Sequence, residues 1–174
     1  MENVGNLKRR LLVLGIDYLF ILLWAGFLFI IMMSLYYFLG SIPTFNEWRM
    51  NLLSLTMFGP VFIYSLVTET SNQHATIGKS WMKLVVNSTN NQPIRFRQIL
   101  VRNIIKYLPW QYAHMLIFRG FALNWELDPF WLGMFVLTYI LPISWFVVVV
   151  IRKDHRGIHD LVAHTIVEKL KNNN

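Results

Sequence analysis

Lys8-Arg9-Arg10-Leu11-Leu12-Val13-Leu14-Gly15-Ile16-Asp17 opens the stretch that decides the fold. A basic cluster leads into an apolar run over residues 11–39, and one carboxylate, Asp17, sits inside that run. A helix turns about 100° per residue, so Arg10 and Asp17 fall almost on one line, about 10 Å apart along the axis. An ionisable side chain inside a membrane helix costs at least ~2.5 kcal/mol and faces protein or water rather than lipid. The rest of the chain has to supply that environment.

Composition agrees. Of 174 residues, 55% are hydrophobic and 14% charged, against about 25% charged in a soluble domain. The net charge of +7 reads as loops beside a bilayer with an anionic inner leaflet. It does not read as a nucleic-acid surface, because the apolar runs are membrane-length. The chain has no cysteine, hence no disulfide and no thiolate metal site.

Residues 11–39 would make a helix about 43 Å long, against a bilayer core of about 30 Å. The helix therefore tilts or begins in the interface. A cleaved signal peptide would have an apolar core of roughly 7–15 residues. This run is longer and ends in Tyr36-Tyr37-Phe38-Leu39, an aromatic belt, so it reads as a span. Residues 52–67 form the second span. Pro60, after Gly59, deprives the carbonyl of Thr56 of its helical donor and predicts a kink there.

Residues 68–103 are too polar to span. Gly78-Lys79-Ser80 looks like the end of a phosphate loop, but Gln73 stands where that loop needs its first glycine. Trp81, Leu84 and Val85 share a helical face, with Lys79 and Lys83 placed to reach headgroups, which predicts an amphipathic helix on the inner surface. Residues 83–87 and 165–168 carry β-branched side chains and lie outside the spans, the first running into the turn signal Asn87-Ser88-Thr89-Asn90-Asn91-Gln92-Pro93. They predict a small strand pair.

Residues 104–123 are ambiguous, since they carry Lys106, Pro109, Gln111, His114 and Arg119. If they span, with a cytoplasmic amino terminus, fourteen Lys and Arg lie inside (8, 9, 10, 79, 83, 95, 97, 102, 106, 152, 153, 156, 169, 171) and only Arg49 and Arg119 outside. If they lie on the surface the split falls to ten against six. The positive-inside rule favours the span. Residues 130–151, containing Pro142, form the last one, and residues 152–174 a cytoplasmic tail. The expected fold is a single all-α membrane domain over residues 1–174. It has four transmembrane helices with both termini cytoplasmic, a cytoplasmic amphipathic helix and a very small β-element.

The tail carries His155, His159 and His164 with Asp154 and Asp160. His155 and His159 have chelating spacing on a helix, but Gly157 interrupts it and no full ligand set is evident, so the residues read as a polar face. No metal or other cofactor is expected.

These motifs together resemble the RDD family of integral membrane proteins, named for one arginine and two aspartates. Arg10, with Arg9 as a rival, and Asp17 match the first arginine and aspartate. Thr76-x-Gly78-Lys79 and Leu84-x-Val86, with Pro93 and Arg102 in step, resemble the family's middle segment. Arg156-Gly157-Ile158-His159-Asp160-Leu161-x-Ala163-x-Thr165-x-Val167 resembles its ending, which makes Asp160 the second aspartate. His164 stands where the family usually has glycine.

The resemblance implies a multi-pass protein, expected in a bacterial cytoplasmic membrane, with transport proposed for the family. Two functional classes follow. In one the protein moves a small ion or solute through Asp17 and an arginine partner, with Arg10, Arg102, His159 and Asp160 completing the charge cluster. In the other it is a non-catalytic adaptor or assembly factor, acting as a homo-oligomer or with a membrane partner, and the charges are structural. No nucleophile–base pair points to an enzyme. Desolvation argues that Asp17 is buried and ion-paired, near the Asp160 segment. The partner is expected to be Arg9, Arg10 or Arg102, of which Arg102, entering the third span at the same level, is preferred.

Overall fold

The computed structural model describes residues 7–90 and 92–170. Lys171 of the charge count and Asn91 of the turn lie outside the described residues. The elements run α1 (Leu7–Leu39), α2 (Glu47–Thr70), α3 (Ile77–Trp81), β1 (Leu84–Ser88), α4 (Phe96–Ala122), α5 (Pro129–Ile151), α6 (Ile158–Val162) and β2 (Thr165–Lys169). Among the described residues three helices, α1, α2 and α5, are long and apolar enough to cross a membrane. α4 is of similar length, 27 residues, but less apolar, so four crossings is an approximate count.

The polarity of α4 has a structural reason. This helix is central, packing against α2, α5 and α6, and its polar side chains turn toward α2. Arg119 Nη1 meets Glu47 Oε2 at 2.9 Å, Gln111 Nε2 donates to Ser54 Oγ at 3.0 Å, and Tyr107 Oη lies 2.6 Å from Ser65 Oγ. At the far end Arg102 and Asn103 meet Glu69. This antiparallel ladder satisfies groups that would otherwise face hydrocarbon.

α2 runs unbroken through Pro60. The carbonyl of Thr56, which proline cannot serve, accepts from Trp24 Nε1 of α1 at 3.3 Å. The same chemistry that predicts a kink thus supplies a contact between two spans.

The strand pair forms as expected, antiparallel, with Val86 opposite Val167. Leu84 and Val86 are fully buried and, with Val13 and Val167, make the core cluster that joins the sheet to α1. The preceding helix is shorter than expected. Only Ile77–Trp81 are helical, Lys83 takes a left-handed φ of 54°, and Leu84 and Val85 belong to β1. Lys79 turns inward, 5% exposed, rather than toward headgroups. His164, where the family favours glycine, has φ 52°, a conformation that glycine adopts without strain.

The Val86 N–H donates to His74 O rather than across the sheet. Val86 and Val167 are therefore a non-hydrogen-bonded pair, with Cα atoms about 4.5 Å apart in ordinary antiparallel geometry, within disulfide reach. A Val86→Cys/Val167→Cys variant is expected to crosslink on mild oxidation in membranes, read by gel mobility after cleavage between α4 and α5. Val86→Cys/Ile166→Cys, with the second side chain on the other face, should stay reduced.

Candidate functional site

Below α2 and α4 the described residues gather three carboxylates with their partners. Asp17, on α1, meets the start of α3. Its Oδ2 accepts from Thr76 Oγ1 at 2.8 Å, and its Oδ1 from the Gly78 N–H at 3.0 Å. Thr76 Oγ1 also caps α3 by accepting from the Lys79 N–H at 3.4 Å. A carboxylate at the first turn of a helix finds unsatisfied N–H groups already oriented. Gly78 is required by proximity, since a Cβ there would lie 2.6 Å from Asp17 Oδ1 and 2.9 Å from Val13 O. The motif Thr76-x-Gly78-Lys79 is thus a dock for Asp17.

Arg102 is not the partner of Asp17. Its guanidinium lies between Glu69, with Nε 3.1 Å from Oε2, and Asp160, which Nη1 contacts at Oδ1. Asp17 is half-buried rather than buried, because neutral donors on α3 bring it to the protein surface of two cavities described below. Arg10 points to the tail, where it donates to His155 O and, at 2.9 Å, to Val167 O. It ties α1 to β2.

The centre of the cluster is a residue that the sequence reading passes over. Glu69, 0% exposed at the end of α2, accepts from Lys79 Nζ at 2.5 Å, from Arg102 Nε and from Asn103 Nδ2 at 3.0 Å. A signal was present: between Glu47 and Glu126 the sequence has no other carboxylate, amid many cations. Asp160 is equally enclosed. Besides Arg102 it accepts from Thr165 Oγ1 at 2.9 Å and from the Gly157 N–H at 3.3 Å. The guanidinium of Arg102, first among the groups that favour the charged form, holds the Asp160 carboxyl below the usual range although burial opposes it. Arg156 completes the turn by donating to Thr165 O and Asp160 O.

His159 stands beside this network, with Nε2 3.5 Å from Asp160 Oδ2 and its ring 6.5 Å from that of Trp145. Burial pushes its pKa down to about 3, and Arg102 and Lys106 add to the shift against the pull of Asp160. His155 Nδ1 lies against Val149 O at 3.0 Å, so the two rings serve different contacts. Among the described residues no group of three His, Cys, Asp or Glu side chains could hold a metal ion.

The shift at His159 sets the sign of a pH effect. Below its ordinary pKa near 6.5 the unfolded chain takes up a proton that the folded chain refuses until about pH 3. Stability in detergent is expected to fall with pH across that window, by at most about 1.4 kcal/mol per pH unit from this group. His159→Asn should flatten that part of the unfolding-midpoint profile. Loss of the Asp160 carboxylate enters only below about pH 4, so the two are separable.

Two cavities adjoin the cluster. One, of about 250 Å³, lies between α1, α2 and α4 and is lined by Asp17, Trp24, Pro60, Ser65 and Tyr107. The other, of about 680 Å³, lies between α1, α4 and α5. Asp17, Ile21 and Tyr107 border both.

Searches of the curated proteins and of the solved structures give no match. The RDD family model matches residues 4–164, nearly the whole chain. The match takes in Asp17 on its α3 dock and the Arg102–Asp160 pair, and with apolar helices of membrane length it shows that this membrane protein belongs to the RDD family.

Proposed function

We propose that this RDD protein moves a small ion or solute across the membrane by way of Asp17. The observation that carries the reading is the place of Asp17 in the lining of two cavities that share Asp17, Ile21 and Tyr107. Its two oxygens are bound by a hydroxyl and a backbone N–H, donors that can release a carboxylate to a proton or a small cation without breaking an ion pair. Thr76 and Gly78 are the dock against which that exchange works. Arg102 and Asp160 hold the cytoplasmic segments together. The topology that goes with this has four crossings and both termini cytoplasmic, with fourteen of the sixteen Lys and Arg inside. α4 serves as the fourth crossing, its polar groups paired to α2.

The test is flux of protons and alkali cations in proteoliposomes of the purified protein, with Asp17→Asn as the control. Cation-dependent flux that disappears in a folded Asp17→Asn variant is the expected outcome. A second reading, the adaptor, is favoured by the Glu69–Arg102–Asp160 network, whose members are all spent on joining α2, α3, α4 and α6. Absence of flux across the panel, together with a stoichiometric co-purifying membrane protein, would replace the first reading by the second.

A further inference from the structure

The larger cavity has a polarity that the solute pathway does not account for. Its charged lining comes from Arg10 and Asp17 on α1, Arg102 and Lys106 on α4 and, outside the spans, Lys79. Its apolar lining continues along the same three long helices, through Leu14 and Ile21, Ile117, and Pro142 and Phe146. From Arg10 to Ile21, and again from Lys106 to Ile117, the helix rises about 16 Å. α5 runs the other way, with Val149 near the charged end and Thr138 eleven residues back. Three helices thus agree on one compartment, with basic side chains gathered at the sheet end and mostly apolar ones over about 16 Å beyond it, where Asp17 and His114 also border it. That length is about half the thickness of a bilayer core, the depth of one leaflet.

The pairing of these charges adds to this. Lys79 and Arg102 are taken up by Glu69 and Asp160. Among the described residues the Lys106 ammonium has no carboxylate within ion-pairing distance and lies over the Tyr107 ring, 4.8 Å from its centroid. That ammonium is half-buried, at the head of a lipid-length groove.

We propose that this groove binds an anionic phospholipid of the inner leaflet, its phosphodiester against Lys106 and one acyl chain along Ile117, Pro142 and Phe146. A phosphodiester carries one negative charge to set against the Lys106 ammonium. The proposal does not depend on solute flux through Asp17, since a lipid can hold α1 against α4 and α5 in a transporter or an adaptor.

The test uses the full chain, delipidated in detergent and titrated with phosphatidylglycerol, with phosphatidylcholine of the same chains, and with inorganic phosphate. Binding is read by native mass spectrometry and thermal midpoint. Phosphatidylglycerol should bind and raise the midpoint, while the other two do neither at the same concentration. Lys106→Gln should weaken the phosphatidylglycerol interaction about tenfold, and Lys153→Gln, beyond the end of α5, should leave it unchanged. Equal binding of the two lipids, an unaltered Lys106→Gln variant, or an equal response to inorganic phosphate would overturn the proposal. If Lys106→Gln does not fold, a phosphatidylglycerol with a photoreactive chain decides on the wild-type protein. Labels should fall on peptides carrying Ile117 or Phe146, and labels confined to other surfaces would count against the groove. A concentration-dependent dimer that excludes the lipid would assign the groove to a second copy of the chain instead.

Discussion

Glu69→Gln is expected to destabilise the protein in detergent by roughly 3–5 kcal/mol, the usual cost of leaving buried charges without their counter-ion. The substitution keeps the side-chain volume and one acceptor, so packing is nearly constant and the change is electrostatic. Arg102 would keep Asp160, but Lys79 would lose its only ion-pair partner among the described residues. Burial already pushes Lys79 down to about 8 against the upward pull of Glu69. Without that pull the amine is stranded in the interior. Two consequences follow, and both are measurable by thermal unfolding in detergent. Glu69→Gln should unfold well below the wild type. Adding Lys79→Met, which removes the stranded amine and keeps the apolar stem, should recover part of the loss. A Glu69→Gln variant as stable as the wild type would mean that the cluster is hydrated and its pairs are weak.

How much of this was legible in the chain depends on which partner each residue needed. The spans α1, α2 and α5 follow from apolar length alone, because hydrocarbon accepts nothing else. The two strands follow from Val85, Val86, Ile166 and Val167 lying outside those spans beside a turn signal. α4 is harder, since Gln111 and Arg119 look unfit for a membrane until Ser54 and Glu47 are opposite them. The site was half legible. Arg10, Asp17, Arg102 and Asp160 all lie at the sheet end of the bundle, but the pairing was not the one that charge alone suggests. A carboxylate can be held by backbone N–H groups as well as by a guanidinium, and backbone donors leave no mark on the sequence except Gly78. Glu69 went unnoticed because it stands where a span gives way to a polar segment, and there a carboxylate looks solvated.

Arg102→Met should cost a similar roughly 3–5 kcal/mol, and its couplings distinguish the network found here from the Asp17–Arg102 pair that charge alone suggests. Arg102 is 3% exposed and pairs with both Glu69 and Asp160. Removing it leaves Asp160 with Thr165, the Gly157 N–H and His159. Asp160→Asn in that background removes a charge that has already lost its counter-ion. Its added cost should therefore be smaller than in the wild type, with a coupling of about 0.5–3 kcal/mol, as found for residues in direct contact. Asp17→Asn behaves differently. Its partners are Thr76 and Gly78, none of which touches Arg102, so the losses from Asp17→Asn and Arg102→Met should add to within about 0.5 kcal/mol. The two cycles, run by thermal or denaturant unfolding under one set of detergent conditions, share Arg102→Met and so control for each other. Additive losses in the Asp160 cycle, or strong coupling in the Asp17 cycle, would place the guanidinium on the other aspartate. Arg102 would then join α4 to α1 rather than to α6.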